Sequence, residues 1–287
     1  MLLHEAIEKF KQYLITMDKS TETIRSYMSD LCSFEYFLEK KHNCPLYIDE
    51  IQTEDIEDYL YWLKEKRALK AVSRSRNLYT IRSFWKYTHN KGLCPRNITV
   101  SLEPIRSQKK ERTYLSIDEA DQFIGAIKHS LIKVVAQTLY YTGMRISECL
   151  NLKLMDVDID NQIIHVINGK GKKDRQIPIS KNLLTIFKNY LDNLRPKVDS
   201  NNFFATKKTG RLSSTYVNRV FQEITLELGW KKRVTAHILR HSFASNLIKN
   251  GVNLVHVQKL LGHSNLKVTS VYTHANMDDL SEAINVL

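Results

Sequence analysis

Residues 235–241 read Thr-Ala-His-Ile-Leu-Arg-His, and this stretch decides how the second half of the chain is interpreted. Thr235 can cap a helix in which His237 and Arg240 lie three residues apart on one face. A guanidinium binds two phosphate oxygens and an imidazole donates or accepts a proton, so this pair could hold a phosphate. Alternatively, the pair could cap a carboxylate inside the fold. A separate apolar stripe on the same helix is expected to be buried: Leu239, Phe243 and Leu247.

A histidine and a tyrosine follow the next predicted helix, which runs from about Asn253 to a stop at Gly262. Its apolar positions are expected to be buried: Leu254, Val257, Leu260 and Leu261. His263 comes directly after the stop, and Tyr272 lies nine residues further on. Taken alone, such a tyrosine would be a core or interface residue.

Two shorter motifs lie upstream of this region. Residues 142–148, Thr-Gly-Met-Arg-Ile-Ser-Glu, place Arg145 on a tight turn between helices, where a salt bridge to Glu148 is the simpler interpretation. Residues 169–171, Gly-Lys-Gly, place Lys170 at the tip of a hairpin. They do not form a nucleotide-binding loop, because the spacing and the strand-to-helix context are absent.

The first ~90 residues are predicted to be helical, because apolar residues recur there at helical spacing. Helices are expected to begin near Leu3, after Ser20 or Thr21, at Thr53 and near Ser73. The fourth helix carries hydroxyl and arginine side chains suited to DNA phosphates, although a solvated basic face is the alternative. Its candidate DNA contacts are Ser73, Arg74, Arg76 and Arg82.

The helical pattern breaks between two domains. Residues 1–96 are predicted to form a helical DNA-binding domain, residues 97–112 a linker, and residues 113–287 a second domain. The linker is polar and basic, and could run along a phosphate backbone through Lys109 and Lys110.

The second domain is predicted to combine helices with a β-hairpin. A capping box at Ser116 opens it, and β-branched residues predict strands over 162–167 and 175–179. Lys172 and Lys173 on the connecting turn are further candidate DNA contacts.

Composition favours a nucleic-acid partner. The 287 residues carry a formal net charge of +12, which favours a polyanion, although the protein could be merely basic. No apolar stretch is long enough to span a bilayer and no secretory signal is evident, so we expect a cytoplasmic protein. The four cysteines form no disulfide or metal pattern and are expected to be small buried side chains.

Together and in this order, the four motifs resemble the signature of the tyrosine recombinases, most of all the compact Xer-type bacterial enzymes and similar integrases. The resemblance spans nearly the whole chain, because the helical first domain also looks like the core-binding domain of that family. It implies a mainly α fold with a small β-sheet in an α+β catalytic domain. The two domains would form a C-shaped clamp around DNA.

The resemblance also implies six catalytic residues: Arg145, Lys170, His237, Arg240, His263 and Tyr272. Tyr272 would attack the phosphorus while the two arginines hold the non-bridging oxygens. Lys170 would protonate the departing 5′-oxygen, His263 would bind the phosphate, and His237 would assist proton transfer. The product would be a 3′-phosphotyrosine, formed without metal, nucleotide or other cofactor.

The implied partner is double-stranded DNA carrying a specific recombination site. A homo-tetramer would exchange strands between two sites through a Holliday junction, with or without a second recombinase or an accessory protein. Residues 277–287 would pack as a helix into a neighbouring protomer, or else on their own domain. Such machinery serves dimer resolution, cointegrate resolution, or integration and excision, in a bacterial cytoplasm at the nucleoid.

Three rival functions are compatible with parts of this pattern. A topoisomerase of the same chemistry would relax DNA as a monomer, but the C-terminal helix and the Xer-like motifs count against it. A DNA-binding protein with a vestigial catalytic set is disfavoured because all six residues are present. A metal-dependent nuclease would lose its activity in EDTA.

Overall fold

The computed structural model describes residues 1–106, 113–167 and 174–262. The chain divides into two compact units, Met1–Lys110 and Glu111–Leu287. Among the described residues, no helix is both long and apolar enough to cross a membrane.

The first unit is built from helices, as predicted. They are α1 (Leu3–Thr16), α2 (Thr21–His42), α3 (Thr53–Glu65) and α4 (Ala71–Asn90). The Ser20 hydroxyl caps α2 by accepting from the Thr23 amide at 3.2 Å, and the fourth helix begins two residues earlier than expected. Aromatic side chains fill the core, where the rings of Phe34 and Trp85 lie edge to face with centroids 5.8 Å apart.

The second unit combines helices with a small sheet. The helices are α5 (Ile117–Ala126), α6 (Ser130–Thr142), α7 (Ile146–Asn151), α8 (Lys181–Asn189), α9 (Ser214–Glu227), α10 (Ala236–Lys249) and α11 (Leu254–Leu261). A 3₁₀ turn, Leu154–Asp156, and a π-helical segment, Tyr190–Leu194, complete the helical structure of the described residues. The predicted capping box at Ser116 is present, because its hydroxyl accepts from the Glu119 amide at 3.2 Å and the Glu119 carboxylate accepts from the Ser116 amide at 3.0 Å.

The sheet is antiparallel in the order β1-β2-β3, with β1 at Val157–Asp158, β2 at Ile163–Val166 and β3 at Arg175–Pro178. The register pairs Val166 with Arg175, so β2 and β3 form the predicted hairpin. Strands β2 and β3 are slightly shorter than expected. Strand β1 was not predicted, because two residues are too few to show the alternation of apolar and polar side chains that marks a strand. The prediction of a mainly α chain with a small β-sheet is confirmed.

Burial differs from expectation at several places, among them Phe243 and Leu247 on α10, which are only half-buried. Cys94 and Cys149 are buried as predicted, whereas the prediction for the other two cysteines is wrong because Cys32 and Cys44 lie on the surface. On α11, Val257 and Leu261 are buried, but Leu254 and Leu260 are only half-buried because this short helix packs on one side.

The segment before α5 is bound to α10 through its backbone. The Leu115 amide donates to the Ser242 hydroxyl at 2.8 Å, and its carbonyl accepts from the Asn246 amide group at 3.2 Å. The same Asn246 group also donates to the Tyr140 hydroxyl at 3.2 Å. Both backbone groups of Leu115 are therefore satisfied by side chains one turn apart on a single helix.

Candidate active site

The turn that carries Arg145 is set by a glycine. Helix α6 ends at Gly143 with φ 63°, a left-handed conformation that favours glycine. A Cβ at Gly143 would lie 2.3 Å from Cδ1 of Phe243, so a side chain has no room there. Arg145 then precedes the first residue of α7, and the predicted tight turn between helices is confirmed.

Glu148 holds Arg145 by both its backbone and its side chain. The Glu148 carboxylate accepts from the Arg145 amide at 2.9 Å and from Arg145 Nη1 at 2.7 Å. The salt bridge considered from the sequence is therefore present. The Arg145 side chain is still 26% exposed, whereas that of Glu148 is only 7% exposed.

A third residue, Arg175 at the start of β3, completes this charge cluster. Its Nη2 donates to Glu148 Oε2 at 2.8 Å, and its Nη1 donates to Glu148 Oε1 at 3.2 Å. Burial by itself would raise the pKa of Glu148. The hydrogen bonds from Arg175 and Arg145 outweigh burial and lower the pKa to about 2.

Arg240 links the turn of Arg145 to the end of α11. Its Nη1 donates to the Gly143 carbonyl at 2.6 Å, and its Nη2 donates to the Leu261 carbonyl at 2.8 Å. The expectation that Arg240 lies away from the buried side of α10 is wrong, because the residue is only 3% exposed. Carbonyl oxygens around the guanidinium make this burial tolerable, since buried charge requires polar partners.

His237 lies one turn before Arg240, at the start of α10. Thr235 caps this helix as predicted, because its hydroxyl accepts from the Ile238 amide at 3.3 Å. The His237 side chain is exposed, in contrast to Arg240. The structure thus brings Arg145 and Arg240 to one turn and puts His237 on the helix that supplies Arg240.

Several predicted site residues fall outside the described part of the chain: Lys109, Lys110, Lys170, Lys172, Lys173, His263, Tyr272 and the segment 277–287. In the sequence, two of these undescribed segments lie next to residues of the cluster described above. Residues 168–173 are separated from Arg175 by Asp174 alone, and residues 263–287 follow Gly262 directly.

The candidate DNA contacts on α4 are partly engaged within the first unit. Arg76 Nη2 donates to the buried Asp30 carboxylate at 2.5 Å, and Arg82 donates to the Leu102 carbonyl. Ser73 is half-buried, and Nε of Arg74 has no hydrogen-bond partner among the described residues. A DNA phosphate that met α4 would therefore share Arg76 and Arg82 with these internal partners.

Metal ligands are not gathered in the described residues: they contain no cluster of three or more His, Cys, Asp or Glu side chains that could hold an ion.

Comparison with known proteins decides the family. The model of the phage integrase family matches residues 113–279, more than half of the chain, and that of the phage integrase N-terminal SAM-like domain matches residues 7–92. The chain belongs to the phage integrase family. The predicted resemblance to the tyrosine recombinases is confirmed, and the protein is a tyrosine site-specific recombinase.

Three similar proteins match this recombinase over at least 95% of their own length. A tyrosine recombinase of Thermosipho africanus is 31% identical, and the match covers 99% of this chain and 100% of the relative. Tyrosine recombinase XerC of Lactobacillus delbrueckii subsp. bulgaricus is 31% identical over 96% of this chain and 95% of its own. A crystallised lambda integrase dimer bound to a core site is 20% identical with a TM-score of 0.79, covering 95% of each chain.

Two residues of the recombinase cluster were not identified as functional candidates from the sequence. Glu148 was considered only as a salt-bridge partner, and Arg175 only as the start of a strand. The available signal was the position of Arg175 just after the Gly-Lys-Gly turn, but its partners Glu148 and Leu260 lie 27 and 85 residues away.

Proposed function

We propose that this recombinase cleaves and rejoins DNA through a covalent bond between Tyr272 and the 3′-phosphate. The observation that carries the proposal is the bond from Arg240 to the Gly143 carbonyl, two residues before Arg145. It ties the guanidinium of Arg240 to the turn whose backbone carries Arg145. The chain leads from this cluster to Lys170 through β3, and to His263 and Tyr272 through the end of α11.

The two arginines would carry the electrostatic part of catalysis. When the tyrosine oxygen attacks, negative charge builds on the non-bridging oxygens of a pentacoordinate phosphorus, and preorganised cations stabilise it. Arg145 and Arg240 hold their positions through Glu148 and through carbonyl oxygens before any DNA arrives. This cationic pair supplies charge that a metal ion would supply in other phosphodiesterases.

Proton transfer would be divided between the remaining residues. A free tyrosine has a pKa near 10, so Tyr272 needs a base, and the exposed His237 would take its proton. The bond from phosphorus to the 5′-oxygen breaks as the tyrosine bond forms, and Lys170 would protonate the departing oxygen. His263 would hydrogen-bond the phosphate. The phosphotyrosine keeps the energy of the phosphodiester, so religation needs no ATP.

The substrate would be double-stranded DNA with a specific site, bound by domain 1–96, by domain 113–287 and by the basic linker 97–112 that joins them. The DNA-bound lambda integrase dimer supports this substrate. Contacts would come from α4, from Lys109 and Lys110, and from Lys172 and Lys173. A tetramer would exchange strands between two sites through a Holliday junction, with residues 277–287 packed into a neighbouring protomer. The enzyme would work at the nucleoid in the bacterial cytoplasm.

The test is a suicide-substrate assay. A binding site is first selected from a randomised duplex library, then nicked beside candidate scissile phosphates and incubated with protein in EDTA without ATP. We expect a protein–DNA adduct that survives a denaturing gel with the wild type and with the control variant Tyr216→Phe, but not with Tyr272→Phe.

Two results would contradict the proposal. An adduct that persists in Tyr272→Phe would show that another residue is the nucleophile. Selected DNA that is bound tightly but never forms an adduct would favour a DNA-binding protein with a vestigial catalytic set.

A further inference from the structure

Arg175 connects three segments of the second unit. Its Nη1 and Nη2 bind the two carboxylate oxygens of Glu148 at 3.2 and 2.8 Å. Its Nε donates to the Leu260 carbonyl in the last turn of α11 at 3.0 Å. One guanidinium thus joins the strand that follows residues 168–173, the helix beside Arg145, and the end of α11.

The end of α11 is shaped around this side chain. Gly262 has φ +64°, and a Cβ there would lie 3.0 Å from Cδ and 3.1 Å from Nε of Arg175. The backbone of Gly262 therefore packs directly against the guanidinium. Because Arg240 binds the neighbouring Leu261 carbonyl, two arginines hold consecutive carbonyls at the C-terminus of this helix, where the helix dipole favours positive charge.

Arg175 also sets the charge available beside Arg145. Glu148 and Arg145 alone sum to zero, so an incoming phosphate would meet a neutral pair. With Arg175 bound to the same carboxylate, the three groups sum to +1. The Arg175 side chain is 11% exposed against 26% for Arg145, which leaves Arg145 as the more accessible cation.

We propose that Arg175 is a positioning residue of the recombination reaction: it neutralises Glu148, so that the charge of Arg145 remains directed at the scissile phosphate, and it fixes the end of α11. This inference rests on the proposed function. Lysine could not replace it fully, because an ammonium group cannot bind two carboxylate oxygens and a carbonyl in the fixed fork of a guanidinium.

The test compares Arg175→Gln with Arg195→Gln on the suicide substrate. Arg195 is a matched control, since it too is half-buried and donates to backbone carbonyls, at Phe203, Ser200 and Asn202. We expect Arg175→Gln to slow adduct formation at saturating DNA by roughly 100-fold, the scale seen when a charge-stabilising group is lost. The Kd of Arg175→Gln for DNA should change less than threefold. The rate of adduct formation by Arg175→Lys should lie between those of the wild type and Arg175→Gln. Arg195→Gln should lower Tm while leaving the rate of the folded protein unchanged.

A second substrate separates positioning from folding. A methylphosphonate at the scissile position replaces one non-bridging oxygen by a methyl group, which removes the negative charge of the linkage and with it much of the need for Arg145. On this substrate the wild type should form adduct less than tenfold faster than Arg175→Gln. If Arg175→Gln slowed adduct formation by the same factor on both substrates, the role of Arg175 would be purely structural and the inference would be overturned.

The double variant Glu148→Gln/Arg175→Gln keeps the test decisive if the single variant folds poorly. It removes both charges of the buried pair, restores the net +1 at Arg145, and leaves no uncompensated carboxylate. We expect it to form adduct at least fivefold faster than Arg175→Gln. A rate at or below that of the single variant would overturn the inference. Absence of any adduct with the wild type would refute the proposed function itself and this inference with it.

Discussion

Replacement of Glu148 by glutamine should destabilise the second unit at neutral pH, and the effect should shrink as the pH falls. The side chain is 7% exposed and its carboxylate accepts from Arg145 and Arg175. Glutamine has nearly the same shape but no charge, so the substitution leaves two guanidinium groups without their common counter-ion. Removal of one partner from a buried ion pair is strongly destabilising.

The magnitude follows from the pKa of Glu148, which is about 2 against an ordinary value of 4.5. A difference of about 2.5 pH units corresponds to about 3 kcal/mol of unfolding free energy. Because the pKa is lowered in the folded state, this stabilisation is fully present above pH 4.5. It is lost as the pH falls from 4.5 towards 2, and by pH 3.5 somewhat less than half of it should be gone.

The assay is urea unfolding followed by ¹⁹F NMR of protein labelled with 5-fluorotryptophan. Trp230 lies in the second unit, whereas Trp62 and Trp85 lie in the first, so one resonance reports on the unit that contains Glu148. Separate signals are needed because two units need not unfold together.

The control is Glu223→Gln, since this carboxylate is 59% exposed and lies 3.8 Å from Arg219. Loss of an exposed ion pair of this kind should change the unfolding free energy by less than about 1 kcal/mol at both pH 7 and pH 3.5. The reasoning would be refuted if Glu148→Gln cost less than about 1 kcal/mol at pH 7, or if its cost were the same at pH 7 and pH 3.5.

Two further predictions concern packing and thiol burial. Gly143→Ala should lower the unfolding free energy by about 2 to 4 kcal/mol in urea, because φ is positive and the new Cβ would overlap Phe243. Gly125→Ala is its control, since nothing lies within 4 Å of the new Cβ, and an alanine inside a helix should stabilise by about 0.5 to 1 kcal/mol. Ellman's reagent at pH 8 should modify two exposed thiols in the native protein and the two buried thiols only on unfolding. Burial raises the pKa of Cys149, so rapid modification of Cys149 under native conditions would contradict its described environment.

The parts of the fold that could be predicted are those fixed by local chemistry. Ser20, Ser116 and Thr235 cap helices through amides three residues further along, so spacing in the sequence is enough to find them. The turn at Gly143 is equally local. The catalytic roles are instead what the resemblance to the tyrosine recombinases implies, because no single motif specifies a reaction.

The parts that could not be predicted depend on contacts between distant segments. Helical spacing put Arg240 on one face with His237, but it could not show that carbonyls 97 and 21 residues away would surround the guanidinium and bury it. Arg175 is a further example, because a polar residue at the start of a strand is usually solvated. Only the three-dimensional structure joins it to Glu148 and Leu260.

The attachment of Leu115 to α10 has a mechanical consequence. Residue 115 is the third described residue after the 107–112 gap, and its amide and carbonyl are both bonded to α10 within two turns of Arg240. Tension on the preceding chain would therefore be transmitted to α10 through the two hydrogen bonds of Leu115. Strain transmitted along the polypeptide would act on α10, the helix that carries Arg240.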